Sequence, residues 1–129
     1  MIINCDGGSR GNPGPAAIGI IIRKADKIIE TYGEKIGKAT NNVAEYSALI
    51  KSLELAKKHG KKIIIVMDSE LVIRQMKGEY KVKSPDLKPL YDRAKKLETD
   101  FDYVRYEHVR REDKFQSKAD KLVNDALDE

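Results

Sequence analysis

The sequence predicts an α/β fold: a five-stranded mixed sheet whose first three strands are antiparallel, with helices on both faces. Three observations support this prediction. The first third of the chain is rich in isoleucine, and the turns between its apolar runs are too short for crossover connections. Apolar residues then recur at helical spacing from Val43. Finally, residues 63–67 are all apolar, which is typical of a strand covered on both faces and parallel to a neighbour.

The N-terminal part is expected to form three strands followed by a long helix. The predicted strands cover residues 2–6, 16–23 and 28–34. Gly37 interrupts the pattern of the third strand. Side chains that can cap a helix follow at Thr40, Asn41 and Asn42. The helix is expected over 43–58, with Gly60 in the position after it.

The C-terminal part is expected to alternate helices with one further strand. After the apolar strand 63–67, Ser69 caps a short helix that ends at Met76. A polar, irregular stretch leads to a helix over 90–98, and a strand over 103–109. The last helix starts near residue 115 and directs inward Phe115, Ala119, Leu122, Val123 and Ala126. The element order βββαβααβα, without a repeat or linker, predicts a single domain over 1–129.

Composition restricts the class of protein without identifying a ligand. The net charge is +4 and 36% of the residues are charged, with both signs interspersed. This balance is compatible with a polyanionic partner, although a solvated lysine-rich surface is the commoner cause. Cys5 is the only cysteine, which excludes an internal disulfide and fits a reducing compartment. No apolar run is long enough to span a membrane and no leader precedes the first strand, so we expect a cytoplasmic protein.

Four acidic residues stand where burial is expected. Asp6 ends the first strand at the glycine-rich segment DGGSRGNPGP, and Asp68 ends the all-apolar strand. Glu45 borders the buried stripe of the long helix, and Asp120 flanks the inward face of the last helix. Each acid has a structural alternative: a turn residue at Asp6, a capping box at Glu45, a strand-to-helix turn at Asp68 and a surface acid at Asp120.

Together the four acids suggest a metal site. If the first and fourth strands are neighbours, Asp6 and Asp68 end side by side, and the two helices can direct Glu45 and Asp120 to the same place. Clustered carboxylates repel one another unless cations neutralise them. Hard oxygen ligands of this kind suit Mg²⁺ or Mn²⁺.

Four sequence strings resemble a known family. CDGGSRGNPGPAAIG, TNNVAEYSALI, VMDSELVI and KADKLVNDA, in this order and spacing, resemble ribonuclease H, type I, over essentially the whole chain. The resemblance implies a ribonuclease H-like fold and endonucleolytic cleavage of the RNA strand of RNA–DNA hybrids. It also implies two Mg²⁺ ions, which Mn²⁺ can replace. The family's catalytic, metal-binding acids fall on Asp6, Glu45, Asp68 and Asp120.

The same resemblance implies contacts with the hybrid. The glycine-rich segment is expected to let a nucleic-acid backbone come close, through Gly7, Gly8 and Gly11. Asn12 and Asn42 are implied to contact the hybrid near the scissile phosphate, and Thr40 to hold a phosphate of the DNA strand. Lys81 and Lys83 belong to a basic stretch that either binds nucleic acid or is simply solvated.

The chain departs from the family pattern in several places. The segment 77–89 is too short for the basic, tryptophan-containing protrusion of some members, and the loop before Asp120 holds no histidine. His108 stands on the preceding strand, where a structural role is expected. Two amide positions also change, to Glu70 and Gln116.

Two other functions stay open at this point. A non-catalytic module that binds hybrids or RNA could use the same fold, and so could a related two-metal nuclease. No protein partner is implied, and we expect a monomer.

Overall fold

A computed structural model describes residues 1–129. Its five strands are β1 (Ile2–Ser9), β2 (Gly14–Lys24), β3 (Lys27–Ala39), β4 (Lys62–Met67) and β5 (Tyr103–His108). They form one sheet in the order β3-β2-β1-β4-β5. The first three strands are antiparallel, whereas β4 pairs in parallel with both β1 and β5. The predicted mixed sheet and the adjacency of the first and fourth strands are therefore confirmed.

Helices cover both faces of the sheet, as predicted. They are α1 (Asn41–Ala56), α2 (Glu70–Met76), α3 (Lys88–Glu98) and α4 (Lys114–Leu127). Helices α1, α2 and α3 share one face, where the largest core contains side chains from all three helices and from β1, β2, β4 and β5. Helix α4 covers the opposite face with residues that include Phe115, Ala119 and Val123. No helix is long and apolar enough to cross a membrane.

Side-chain caps fix where three of the helices begin. The Thr40 hydroxyl accepts from the backbone N–H of Val43 at 3.2 Å at the start of α1, and Ser69 caps α2 in the same way. Asp113 accepts from two backbone N–H groups at the start of α4. Because Thr40 is the cap of α1, Glu45 lies too far along the helix to complete a capping box.

The first hairpin is longer than the sequence suggested. Residues 7–9 pair with residues 16–18, so the glycine-rich segment is mostly strand and its turn contains only residues 10–13. The prediction that the first strand ends at Asp6 was wrong, because the glycines after it continue the pairing with β2. The third strand is also longer and runs to Ala39, since Gly37, with φ +85°, accommodates a bulge. The other element ends agree with the prediction within two residues.

Two glycines let helices pack directly on the sheet backbone. A Cβ atom at Gly7 would lie 2.1 Å from the carbonyl oxygen of Ala44 in α1, and one at Gly19 would lie 2.2 Å from that of Ala119 in α4. Gly19 is the partner of Asp6 in the β1–β2 ladder. The glycine-rich strands thus bring both helices unusually close to Asp6, a packing role that the sequence reading did not assign to Gly7.

The sheet opens where β1 and β4 part. Their last paired residues are Asn4 and Val66, and β1 continues to Ser9, whereas the chain leaves β4 after Met67 and enters α2. Parallel strands that separate at their carboxyl ends create a crevice at that edge. This crevice is the place where the sequence predicted the acidic residues to meet.

Candidate active site

The structure brings the four predicted acids to one cleft at the carboxyl ends of β1 and β4. Asp6 comes from β1, Glu45 from α1, Asp68 from the residue after β4 and Asp120 from α4, and all four line the cleft. Gly7, Gly8 and Ser9 form its wall along β1. Four elements that are distant in sequence therefore supply one carboxylate each. Their catalytic roles stay a prediction.

Asp6 and Glu45 are the two most buried members, and Asp6 is in contact with another acid. Only 7% of the residue is exposed, and its carboxyl group is hydrogen-bonded to that of Asp120. Burial is the main cause that raises the pKa of Asp6 to about 8, and the charge of Asp68 adds to it.

Glu45 is held by two polar neighbours. The Asn41 amide donates to its carboxylate at 3.1 Å, and the Ser69 hydroxyl lies near enough to lower its pKa. Burial nevertheless dominates and raises the pKa of Glu45 to about 7. Asn41 opens α1 and Ser69 caps α2, so the starts of two helices fix the position of this carboxylate.

Asp68 is held on both sides. The Gln116 amide donates to Oδ1 at 3.3 Å, and the Arg111 guanidinium lies 3.7 Å from Oδ2. The Asp68 side chain is 13% exposed, whereas that of Arg111 is 78% exposed and extends from the loop between β5 and α4. Arg111 also lines the cleft and lowers the pKa of Glu45 against the effect of burial.

The donor set fits a hard divalent cation. The cleft concentrates four carboxylates, and two of them are in direct contact. A cation in the cleft would offset the repulsion among these carboxylates. No three of these side chains are placed around a single ion position, so ions would be held by fewer protein ligands each. Mg²⁺, which keeps several of its waters and takes few carboxylates, suits such a site.

A second pocket adjoins the first. It is lined by Asn12, Thr40, Asn41, Asn42, Ser84, Asp86 and Leu87, and Asn41 faces both pockets. The Asn12 amide oxygen accepts from the backbone N–H of Asn41 at 3.0 Å, which ties the β1–β2 turn to the start of α1. Gly11 shapes the same turn with a φ of +103°, a conformation that favours glycine. Three residues predicted to bind substrate are thus gathered beside the acids.

Comparisons with known proteins identify the family of this fold. A family model described as reverse transcriptase-like matches residues 4–126. The crystal structure of RNase H1 from Halobacterium salinarum is 43% identical, with a TM-score of 0.93, over 98% of this chain and 96% of that chain. This chain belongs to the type I ribonuclease H family. The structure of LC11-RNase H1 in complex with an RNA/DNA hybrid is 40% identical, with a TM-score of 0.92 over 98% and 96% of the two chains.

One curated relative is considerably longer. A bifunctional protein of Mycobacterium tuberculosis is 47% identical over 131 residues, which cover 99% of this chain and 35% of the relative. The chain therefore spans about a third of the length of the first curated relatives that it matches. The ribonuclease H family assignment applies to the shared region.

Some predicted residues lie elsewhere in the family fold. Lys81 and Lys83 are exposed between α2 and α3 and line neither pocket. His108 is exposed at the end of β5, whereas Tyr106 of the same strand is buried. The expected structural role of His108 is not supported, because its side chain is exposed.

The sequence did not identify several residues in and around the cleft that lie against the acids. Asn41 and Ser69, which hold Glu45, were assigned only to helix capping. Arg111 faces Asp68 from a loop noted only for lacking histidine. Gln116 was noted only as a departure from the family pattern, although it is fully buried against Asp68. Of these residues, only Ser69 could have been suspected from the sequence, because it directly follows the predicted site residue Asp68 and caps the next helix.

Proposed function

We propose that this chain hydrolyses the RNA strand of RNA–DNA hybrids endonucleolytically, by a two-metal mechanism and as a monomer. The observation that carries the proposal is the cleft itself, where Asp6 and Asp120 are in direct contact and Asp68 and Glu45 complete a set of four carboxylates. Family membership and the similarity to LC11-RNase H1, a structure with a bound RNA/DNA hybrid, support the same substrate.

In the proposed mechanism the four carboxylates hold two Mg²⁺ ions, with Mn²⁺ as a substitute. When bound, such ions activate a water for attack and stabilise the leaving 3′-oxygen. Asp6, which adjoins both Asp68 and Asp120, would hold the ions together with them. Asn41 keeps Glu45 in a fixed orientation, since its amide donates to the carboxylate, and the Ser69 hydroxyl lies beside the same group. The residues of this chain therefore contribute position and negative charge.

The second pocket is proposed to bind the hybrid. The Asn12 oxygen is already engaged by the Asn41 N–H, so its amide NH₂ group is the part that can donate to a ribose 2′-hydroxyl. The Thr40 hydroxyl accepts from Val43 and can still donate its own hydrogen to a phosphate oxygen. Asn42 is exposed beside both residues.

Less specific contacts complete the proposed interface. Gly8 lines the acidic cleft, and only the Val123 side chain and the Asn41 amide come within 4 Å of the place where its Cβ would be. Gly7 borders the same wall of the cleft, and Gly11 shapes the turn beside it. Lys81 and Lys83 are proposed to attract more distant phosphates, in a manner that weakens as salt concentration rises.

A cleavage assay separates this proposal from its alternatives. The protein is incubated with an RNA–DNA hybrid, double-stranded RNA and double-stranded DNA, with Mg²⁺ or with a chelator. Cleavage of the RNA strand of the hybrid only in the presence of Mg²⁺ is expected. Binding of the hybrid without cleavage would indicate a non-catalytic module, and cleavage of double-stranded DNA would indicate a different two-metal nuclease.

The metal part of the proposal has its own test. An ion that binds only the folded protein raises the melting temperature by mass action. Mg²⁺ is therefore expected to stabilise the wild type and to have no effect on a double variant with Asp6→Asn and Asp68→Asn. Equal shifts in the two proteins would show that Mg²⁺ binds elsewhere.

A further inference from the structure

A buried chain of hydrogen bonds leads from the surface of the sheet to Asp68. The Arg23 guanidinium donates to Asn4 Oδ1 at 2.9 Å, and the Asn4 amide donates to Gln116 Oε1 at 3.2 Å. The Gln116 amide in turn donates to Asp68 Oδ1 at 3.3 Å. Asn4 and Gln116 are both 0% exposed. We call these three residues, Arg23, Asn4 and Gln116, the amide relay.

The relay has a defined direction. A guanidinium can only donate and an ionised carboxylate can only accept. The two amides between them must therefore both present their oxygen toward Arg23 and their NH₂ group toward Asp68. Neither amide can rotate by half a turn without placing two donors or two acceptors against each other in a water-free interior. The orientation of the Gln116 donor toward Asp68 is thus set by residues on β1 and β2.

Gln116 also occupies the point where the sheet divides. Its Nε2 donates to the backbone carbonyl of Cys5 at 2.9 Å, and Cys5 directly follows the last residue of β1 that pairs with β4. One side chain of α4 therefore binds both walls of the crevice, the β1 backbone and the Asp68 carboxylate. This contact fixes the position of Asp68 relative to β1, which carries Asp6.

We propose that the amide relay positions Asp68 for the reaction, with Gln116 as its positioning residue. Gln116 binds Oδ1 and leaves Oδ2 directed toward Arg111 and the cleft. Without the relay, Asp68 Oδ1 loses its hydrogen bond and the exposed Arg111, 3.7 Å from Oδ2, is left to hold the carboxylate, so a change in its orientation is expected. Groups that orient a ligand in this way commonly change activity or metal affinity by about 10–100-fold. The proposal rests on the proposed function only for its kinetic effect.

The chain offers a matched control, because it contains only two glutamines, Gln75 and Gln116. Gln75 is also buried, with 5% exposed, and accepts a hydrogen bond from the Tyr46 hydroxyl at 2.6 Å. It belongs to α2 and lines neither the acidic cleft nor the second pocket. Gln75→Met and Gln116→Met remove the same buried amide and preserve the length of the side chain.

Three measurements test the proposal. Gln116→Met is expected to lower kcat on the hybrid at least tenfold and to raise the Mg²⁺ concentration for half-maximal thermal stabilisation at least threefold. Gln75→Met is expected to change both quantities less than twofold, even if it lowers the melting temperature as much. In crystal structures, Asp68 is expected in one orientation in the wild type and the control, and in a different or a second orientation in Gln116→Met.

The crystal structure keeps the test independent of activity. If wild-type protein fails to cleave the hybrid, the proposed function is wrong. The orientation of Asp68 in Gln116→Met still shows whether the amide relay positions Asp68. An unchanged, single Asp68 orientation would overturn the proposal, and so would kinetic and Mg²⁺ values within twofold of the wild type. If Gln116→Met does not fold, Asn4→Leu removes the middle link, and the same outcomes apply to it.

Discussion

Asp6→Asn is expected to change how the stability of the metal-free protein depends on pH. The side chain has a pKa of about 8 in the folded protein, mainly because it is buried, against an ordinary value of 3.8. Between these two pH values the folded state keeps a proton that the unfolded state releases. Stability therefore falls as pH rises through this window, and it is highest below the lower value. Asparagine cannot ionise, so the variant lacks this contribution.

The size of the effect follows from the two pKa values. One proton bound only by the folded state changes the free energy of unfolding by about 1.4 kcal/mol per pH unit. Between pH 5 and pH 8 the Asp6 contribution thus amounts to about 3–4 kcal/mol. For a chain of 129 residues this corresponds to roughly 10–15 °C in melting temperature. Glu45, with a pKa of about 7, also makes stability fall as pH rises, but only up to about pH 7, and this contribution remains in the Asp6→Asn variant.

The assay is thermal or urea unfolding in a chelator at pH 5, 6, 7 and 8. Across this range the wild type is expected to lose about 3–4 kcal/mol more of its free energy of unfolding than Asp6→Asn does. Asp26→Asn, an exposed acid in the β2–β3 turn, serves as the control and is expected to behave as the wild type. Parallel pH profiles for the wild type and Asp6→Asn would refute the assignment of a raised pKa to Asp6.

Three further predictions concern other parts of the fold. Gly7→Ala places a methyl group 2.1 Å from the Ala44 carbonyl oxygen and is expected to lower the free energy of unfolding in urea by at least about 3 kcal/mol. In the control Gly8→Ala the methyl group meets nothing closer than 3.5 Å, so the loss is expected to be less than about 1 kcal/mol. Equal losses in the two variants would contradict the close packing at Gly7. Ala25→Gly is expected to stabilise by about 1 kcal/mol in the same assay, because Ala25 has a φ of +49°, and a loss of stability would count against this. His108→Ala is expected to lower turnover less than tenfold with no loss of stability, since the side chain is exposed; a hundredfold loss would identify it as a general base.

The sequence was sufficient to predict the sheet and the meeting of the acids. The all-apolar strand implied a parallel neighbour, and the position of Asp68 at its end then placed it beside Asp6. These inferences succeed because the residue types of one short segment are enough to indicate that a strand is buried on both faces and has a parallel neighbour. The family resemblance supplied the positions of Glu45 and Asp120, which periodicity alone left ambiguous.

Other features depend on contacts that residue patterns do not encode. Gly7 stands in a segment typical of a loop, and only the position of Ala44 on α1 explains why it must lack a side chain. Gln116 meets Asp68 and Cys5 across 48 and 111 residues, so no local pattern could show these hydrogen bonds. Arg111 likewise approaches Asp68 only after β4 and β5 have paired.

The central claim is that the four carboxylates form the catalytic centre for hybrid cleavage, and Asp68→Asn tests it most directly. The substitution preserves the shape of the side chain and an oxygen that can accept from Gln116, but it removes the charge that a metal ion requires. Turnover of an RNA–DNA hybrid is measured at saturating Mg²⁺ for the wild type and the variant, with circular dichroism to verify folding. The account predicts Mg²⁺-dependent cleavage by the wild type and a loss of activity in a variant that is folded. A folded variant that keeps more than a tenth of the wild-type turnover would contradict it.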